Sequence, residues 1–209
     1  MEKTYFDKLN NTINNSYLQK MEEYAKNNSV PIIQKEGLEC LLLTAKLKNV
    51  KKVLEIGTAI GYSASCLAFV SNDILVDTIE RDKRMYDEAI KNISILGLDK
   101  RINVILADAL DFDENNLKDD YDLIFIDAAK SQYIKFFEKY EKKLKQGGVI
   151  FSDNLLFHGL IEKRTGEESR NLSQMLKKIE AFNEWLAKNE AYDTTFLKLG
   201  DGIAISIKK

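Results

Sequence analysis

The chain has 209 residues, enough to bury a substantial core in one domain without disulfide or metal staples. Its 31 basic residues nearly cancel 33 acidic ones, so no global charge demands a polyanionic partner, and no apolar run is long enough to span a bilayer. The first residues lack the charged-then-apolar layout of a secretory signal. Cys40 and Cys66 fall inside amphipathic patterns, which points to buried thiols in a reducing, cytoplasmic compartment.

Residues 1–29 are polar and asparagine-rich, with apolar positions at Tyr5, Leu9, Ile13, Tyr17, Met21 and Tyr24. Spacing of three to four residues predicts one or two amphipathic helices. Pro31, the single proline, suits the start of another helix running to about residue 48. Strands are then predicted at 52–56, 75–79, 103–106, 123–126 and 149–152. Helices are predicted at 63–69, 84–96, 133–144 and 171–188. Such alternation implies a mainly parallel, doubly wound α/β sheet. Strands at 194–199 and 203–207, joined by Gly200-Asp201-Gly202, predict a terminal antiparallel hairpin. No repeat or linker intervenes, so 1–209 reads as one domain, with N-terminal helices over 1–48 and the core over 49–209.

Two of the predicted strands end in oxygen ligands. The run Tyr121 to Ile126 leads into Asp127, and the run Gly147 to Ser152 leads into Asp153 and Asn154. Open α/β sheets bind ligands at the carboxyl ends of their strands. Two carboxylates and a carboxamide converging there describe a site for a hard divalent cation, with Lys130 one turn beyond Asp127. Taken singly, Asp127 is better explained as a helix cap, Lys130 as a solvated lysine and Asp153-Asn154 as turn residues. Their convergence favours metal-assisted chemistry on an oxygen nucleophile.

A second cluster surrounds Val53 to Ser63, a strand running into a turn punctuated by Gly57 and Gly61. Glu80 follows a little over twenty residues beyond Gly57, where an acid can accept hydrogen bonds from ribose hydroxyls. Asp108, just after the third strand, sits where the adenine edge would lie. The spacing alone fits NAD or S-adenosylmethionine. The loop lacks the Gly-x-Gly-x-x-Gly order that admits a pyrophosphate, and Glu55 suits a cationic amino acid moiety. Both details favour S-adenosylmethionine. Otherwise the glycines serve only a tight strand-to-helix connection.

With these motifs assembled, the chain resembles the cation-dependent O-methyltransferases, which include catechol and caffeoyl-CoA O-methyltransferases. Within them, Gly57 to Ser63, Asp127 to Tyr133 and Asp153 to Gly159 are similar to segments of bacterial tRNA 5-hydroxyuridine methyltransferases, which make wobble 5-methoxyuridine. The resemblance implies a class I, Rossmann-like fold with seven strands. It implies magnesium held by Asp127, Asp153 and Asn154, with Lys130 and Asp127 in catalysis. Glu55, Gly57, Ser63, Glu80, Asp108, Ala109 and Asp127 would surround S-adenosylmethionine. It also implies a tRNA substrate and a homodimer using the N-terminal helices. His158, read as a loop residue near the substrate mouth rather than a catalytic base, stands where that branch often carries lysine. A loop over 160–171 offers Arg164 and Arg170 to tRNA phosphates. The helix over 133–144, with Lys135, Lys139, Lys142 and Lys143, reads as a solvated face. The rival readings are a small catechol-like acceptor, a nicotinamide oxidoreductase and a non-catalytic RNA-binding module.

Overall fold

The computed structural model of the protein describes residues 15–163 and 168–209, together with Tyr5, Leu9, Asn10 and Ile13. The strands are β1 (Lys52–Ile56), β2 (Leu75–Glu80), β3 (Ile102–Leu106), β4 (Tyr121–Ile126), β5 (Leu144–Ser152), β6 (Tyr192–Leu197) and β7 (Ile203–Lys208). They form a seven-stranded sheet in the order β3-β2-β1-β4-β5-β7-β6. β1 to β5 are mutually parallel, and β7 pairs antiparallel with both β5 and β6. This is the doubly wound sheet with a terminal hairpin that the alternating segments predict.

The helices are α1 (Ser16–Asn27), α2 (Lys35–Leu47), α3 (Tyr62–Val70), α4 (Lys83–Ile95), α5 (Tyr133–Tyr140) and α6 (Arg170–Ala187). Every residue of β4 is buried, because helices cover both faces of the sheet. Successive side chains of a strand point to opposite faces. Leu123 and Phe125 therefore join Val53 in the core under α1 to α4, whereas Ile124 and Ile126 join Leu54 and Ile56 under α5 and α6. That second core is strongly aromatic. Phe137 meets Trp185 at 5.2 Å and Tyr192 at 4.9 Å, both edge-on, the geometry aromatic quadrupoles favour.

Three expectations need adjustment. The helix predicted to reach residue 144 leaves α-geometry after Tyr140 and passes through the tight turn Glu141–Lys143. β5 then begins at Leu144, because Leu144 pairs with Tyr121 before a register shift carries the ladder on to Leu123 and Val149. The lysines of this region are not all solvated: Lys143 is buried against Asp119, and Lys139 donates to two backbone carbonyls. Finally, both cysteines are free thiols, but only Cys66 is buried and Cys40 is half-buried. No helix among the described residues is long and apolar enough to cross a membrane.

Candidate active site

In this sheet the winding reverses between β1 and β4, and the carboxyl ends of such strands splay into a crevice. A cavity of about 360 Å³ occupies that place, with Gly57, Ser63, Glu80, Asp108, Ala109 and Asp127 in its wall. The segment 30–33 between α1 and α2 also lines it, so the connection between the first two helices helps to close the cavity.

Backbone geometry ties the cavity together. Gly57 has φ +104°, and a Cβ there would sit 2.0 Å from the Asp127 carbonyl oxygen. Only glycine allows β1 and β4 to approach this closely at their ends. The Asp127 N–H in turn donates to the Ile56 carbonyl at 3.0 Å. Across the cavity, the Glu80 carboxylate accepts from the Ala59 N–H at 2.8 Å and from the Asp82 N–H at 2.8 Å. Ala59 itself has φ +47°, so Glu80 holds a strained loop in place. Asp108 accepts from the Leu110 N–H at 2.9 Å. From α5, Lys139 donates to the carbonyls of Leu110 and Phe112, and the Tyr140 hydroxyl donates to that of Ala109.

Glu55 departs from its expected place. It is fully buried and absent from the cavity wall, standing behind Ser63. Ser63 Oγ and Thr78 Oγ1 each donate to one of its carboxyl oxygens at 2.5 Å. Thr58 completes the chain, donating to Thr78 at 2.6 Å. Burial pushes the Glu55 carboxyl up to about 8; the two hydroxyl donors oppose this, and the charges of Asp127 and Glu80 add to it. Glu55 therefore reaches the cavity wall only through Ser63.

At the edge of the cavity the expected ligand set comes together. Asn154 Nδ2 donates to Asp127 Oδ1 at 2.8 Å and to Asp153 Oδ2 at 3.2 Å. Lys130 Nζ lies 3.4 Å from that same Asp127 oxygen. The Tyr133 hydroxyl donates to the Asp153 carbonyl at 2.9 Å and anchors the end of β5. Burial first, and then the charge of Asp127, push the Asp153 carboxyl up to about 7. Among the described residues no three His, Cys, Asp or Glu side chains cluster as metal ligands, so a cation held here by Asp127 and Asp153 would need a third donor of another type, such as the Asn154 amide. A half-turn of that amide would present its oxygen where its NH₂ group now meets both carboxylates. Two crowded carboxylates and one carboxamide fit a hard divalent cation, whose charge would relieve their repulsion.

The sequence profile of the O-methyltransferase family matches residues 8–209. The chain belongs to the O-methyltransferase family. A caffeoyl-CoA O-methyltransferase of Populus kitakamiensis is 31% identical over 183 residues, which cover 85% of this chain and 77% of that protein. A Staphylococcus aureus structure provisionally described as a caffeoyl-CoA O-methyltransferase superposes with TM-score 0.93 at 42% identity, covering 99% of both chains. An O-methyltransferase from Bacillus cereus, solved with S-adenosylhomocysteine, superposes with TM-score 0.80 at 27% identity, covering 94% of this chain and 92% of that one. The fold is thus that of the class I methyltransferases, as the resemblance implies.

Of the other O-methyltransferase residues expected at the site, His158 lies on the loop after β5, with its ring largely exposed. Arg170 opens α6 and is exposed, whereas Arg164 lies outside the described residues. Sequence reading missed Tyr133 as an anchor, Lys139 as a donor to the 108–112 loop, and the hydroxyls of Thr58 and Thr78. Each acts across a long sequence separation: Thr58 and Tyr133 lie inside the motif segments, but the partner each meets lies outside its own segment.

Proposed function

We propose that this O-methyltransferase uses S-adenosylmethionine and a divalent cation, and that its acceptor is 5-hydroxyuridine in tRNA. One observation carries the proposal: Asp127 belongs both to the wall of the cavity and to the Asp127–Asp153–Asn154 set. A methyl donor seated in the cavity therefore adjoins the place where an acceptor oxygen would be oriented. In the reaction, an acceptor oxygen lone pair attacks the methyl carbon as the carbon–sulfur bond breaks, turning the sulfonium into a thioether. Asp127, Asp153 and Asn154 would hold the cation, which would chelate the acceptor and lower the pKa of its hydroxyl. Lys130, ion-paired with Asp127, places its positive charge beside the oxyanion formed when the acceptor hydroxyl releases its proton to water, the charge that methyl transfer then consumes. Glu80 accepts the ribose hydroxyls, and the Gly57 loop lets backbone approach the methionine portion. Holding oxygen and methyl in line supplies much of the rate.

The RNA acceptor rests on the flanking motifs and on a groove beside Lys130. That groove is lined also by Lys135 and Lys178, which suits a phosphate-bearing substrate. The relatives favour a second reading, since caffeoyl-CoA O-methyltransferases are among them. The deciding experiment offers labelled S-adenosylmethionine, with and without magnesium, to tRNA bearing 5-hydroxyuridine and to catechol and caffeoyl-CoA in parallel. Magnesium-dependent 5-methoxyuridine supports the proposal. Labelled phenol with untouched tRNA would overturn the acceptor, and full activity of Asp127→Ala would overturn the cation site.

A further inference from the structure

The turn of the terminal hairpin reaches back over the loop that follows β5. The Leu155 N–H donates to the Gly202 carbonyl at 2.9 Å, and the Leu156 N–H donates to the Asp201 carbonyl at 2.8 Å. The His158 N–H donates to Asp201 Oδ1. Within this loop Asn154, Phe157 and His158 all have positive φ, at +64°, +46° and +57°. Three non-glycine residues in the left-handed region are a strained stretch, and such a conformation persists only where its surroundings over-determine it. The Asp201 side chain is 3% exposed. Among the described residues its Oδ2 has no hydrogen-bond partner, and His158 Nδ1 lies 3.6 Å away. Gly202 has φ +83°, and a Cβ there would fall 2.5 Å from Leu156 Cγ, so the turn is seated tightly on the loop.

We infer that Asp201 is a positioning residue: it clamps the strained loop after β5 and thereby sets where the Asn154 amide stands in the cation site. This rests on the proposed reading of Asn154 as a cation ligand. Asp201 does not line the cavity. It acts from the far end of the chain, adding the His158 contact to a loop whose own bonds are those of the Leu160 N–H to the Phe157 carbonyl and of the Ile161 N–H to the Leu156 carbonyl. The terminal hairpin then does more than complete the sheet, because it determines the shape of the loop that supplies a ligand.

Manganese binding to the full chain, followed by electron paramagnetic resonance, tests this without turnover. Outer partners of metal ligands typically contribute about tenfold or more to affinity, and Asp201→Ala is expected to weaken manganese binding by about that factor. Asp201→Asn keeps an oxygen able to accept from the His158 N–H, and should remain close to wild type. Gly202→Ala should weaken binding by pushing the turn off the loop, with Asp201 itself intact. Affinity for S-adenosylhomocysteine should be unchanged in all three, which a general loss of folding would not allow. Wild-type manganese affinity in Asp201→Ala overturns the clamp. So does an Asp201→Asn variant as weak as Asp201→Ala, since charge and not the hydrogen bond would then be the link. If Asp201→Ala fails to fold, wild-type affinity in Gly202→Ala overturns it. Asn154→Ala is the control on the underlying reading: if it binds manganese as wild type does, the ligand assignment fails and the clamp with it.

Discussion

Gly57 and Glu55, two residues apart, make opposite demands on the β1 turn. Gly57 is there because its missing Cβ leaves room for the Asp127 carbonyl. Gly57→Ala should move β1 and β4 apart at their ends, costing about 1–3 kcal/mol for the forbidden φ alone. A lowered melting temperature together with lost S-adenosylhomocysteine binding is expected, and wild-type values of both would refute the close-approach argument. Glu55 instead fills its space with a carboxyl that burial holds protonated up to about 8, against an ordinary 4.5. An unfolded chain releases that proton near the ordinary value, so between the two values the folded state binds more protons. The stability this group contributes is complete below the ordinary value and is lost as pH rises through the folded one. Wild type should therefore lose stability relative to Glu55→Gln between about pH 5 and pH 8. Parallel denaturation curves across that range would contradict the buried neutral acid.

At the scale of elements, α5 works as a strut. Its buried face, Phe136, Phe137 and Tyr140, packs into the aromatic core, while Lys139 and Tyr140 hold the carbonyls of the 108–112 loop. Hydrogen bonds from a charged donor contribute about 1.5–3 kcal/mol. Lys139→Met should lower the melting temperature and weaken cosubstrate binding several-fold, because the loop bearing Asp108 loses its tether. Calorimetry showing unchanged affinity would detach α5 from the cosubstrate site. Tyr133, at the other end of the same helix, anchors the Asp153 backbone. One eight-residue helix thus steadies the 108–112 loop and the Asp153 backbone together.

For the molecule as a whole, a ligand bound only by the folded state stabilises it by mass action. S-adenosylhomocysteine at a hundred times its Kd should contribute about 2.7 kcal/mol. For a domain of this size that is a rise in melting temperature of roughly 5–10 °C. A shift absent at saturating ligand would deny the cavity its cosubstrate. The whole molecule also shows why the proposed cation ligands are legible in the sequence. Asp127 and the Asp153-Asn154 pair directly follow apolar strands, and parallel strands direct their carboxyl ends to one edge.

The sequence by itself determined the sheet, its hairpin, the glycine turn and the acids at the strand ends. These follow from hydrophobic periodicity and turn chemistry, which act over a few residues at a time. Tertiary structure decided what those residues meet. Burial behind Ser63 withdrew Glu55 from the cavity, and α5 turned Lys139 from a surface charge into a backbone donor. The hairpin turn placed Asp201 on a loop 43 residues earlier in the chain. Such contacts arise when distant segments pack, and no local pattern of side chains encodes which partner each will find.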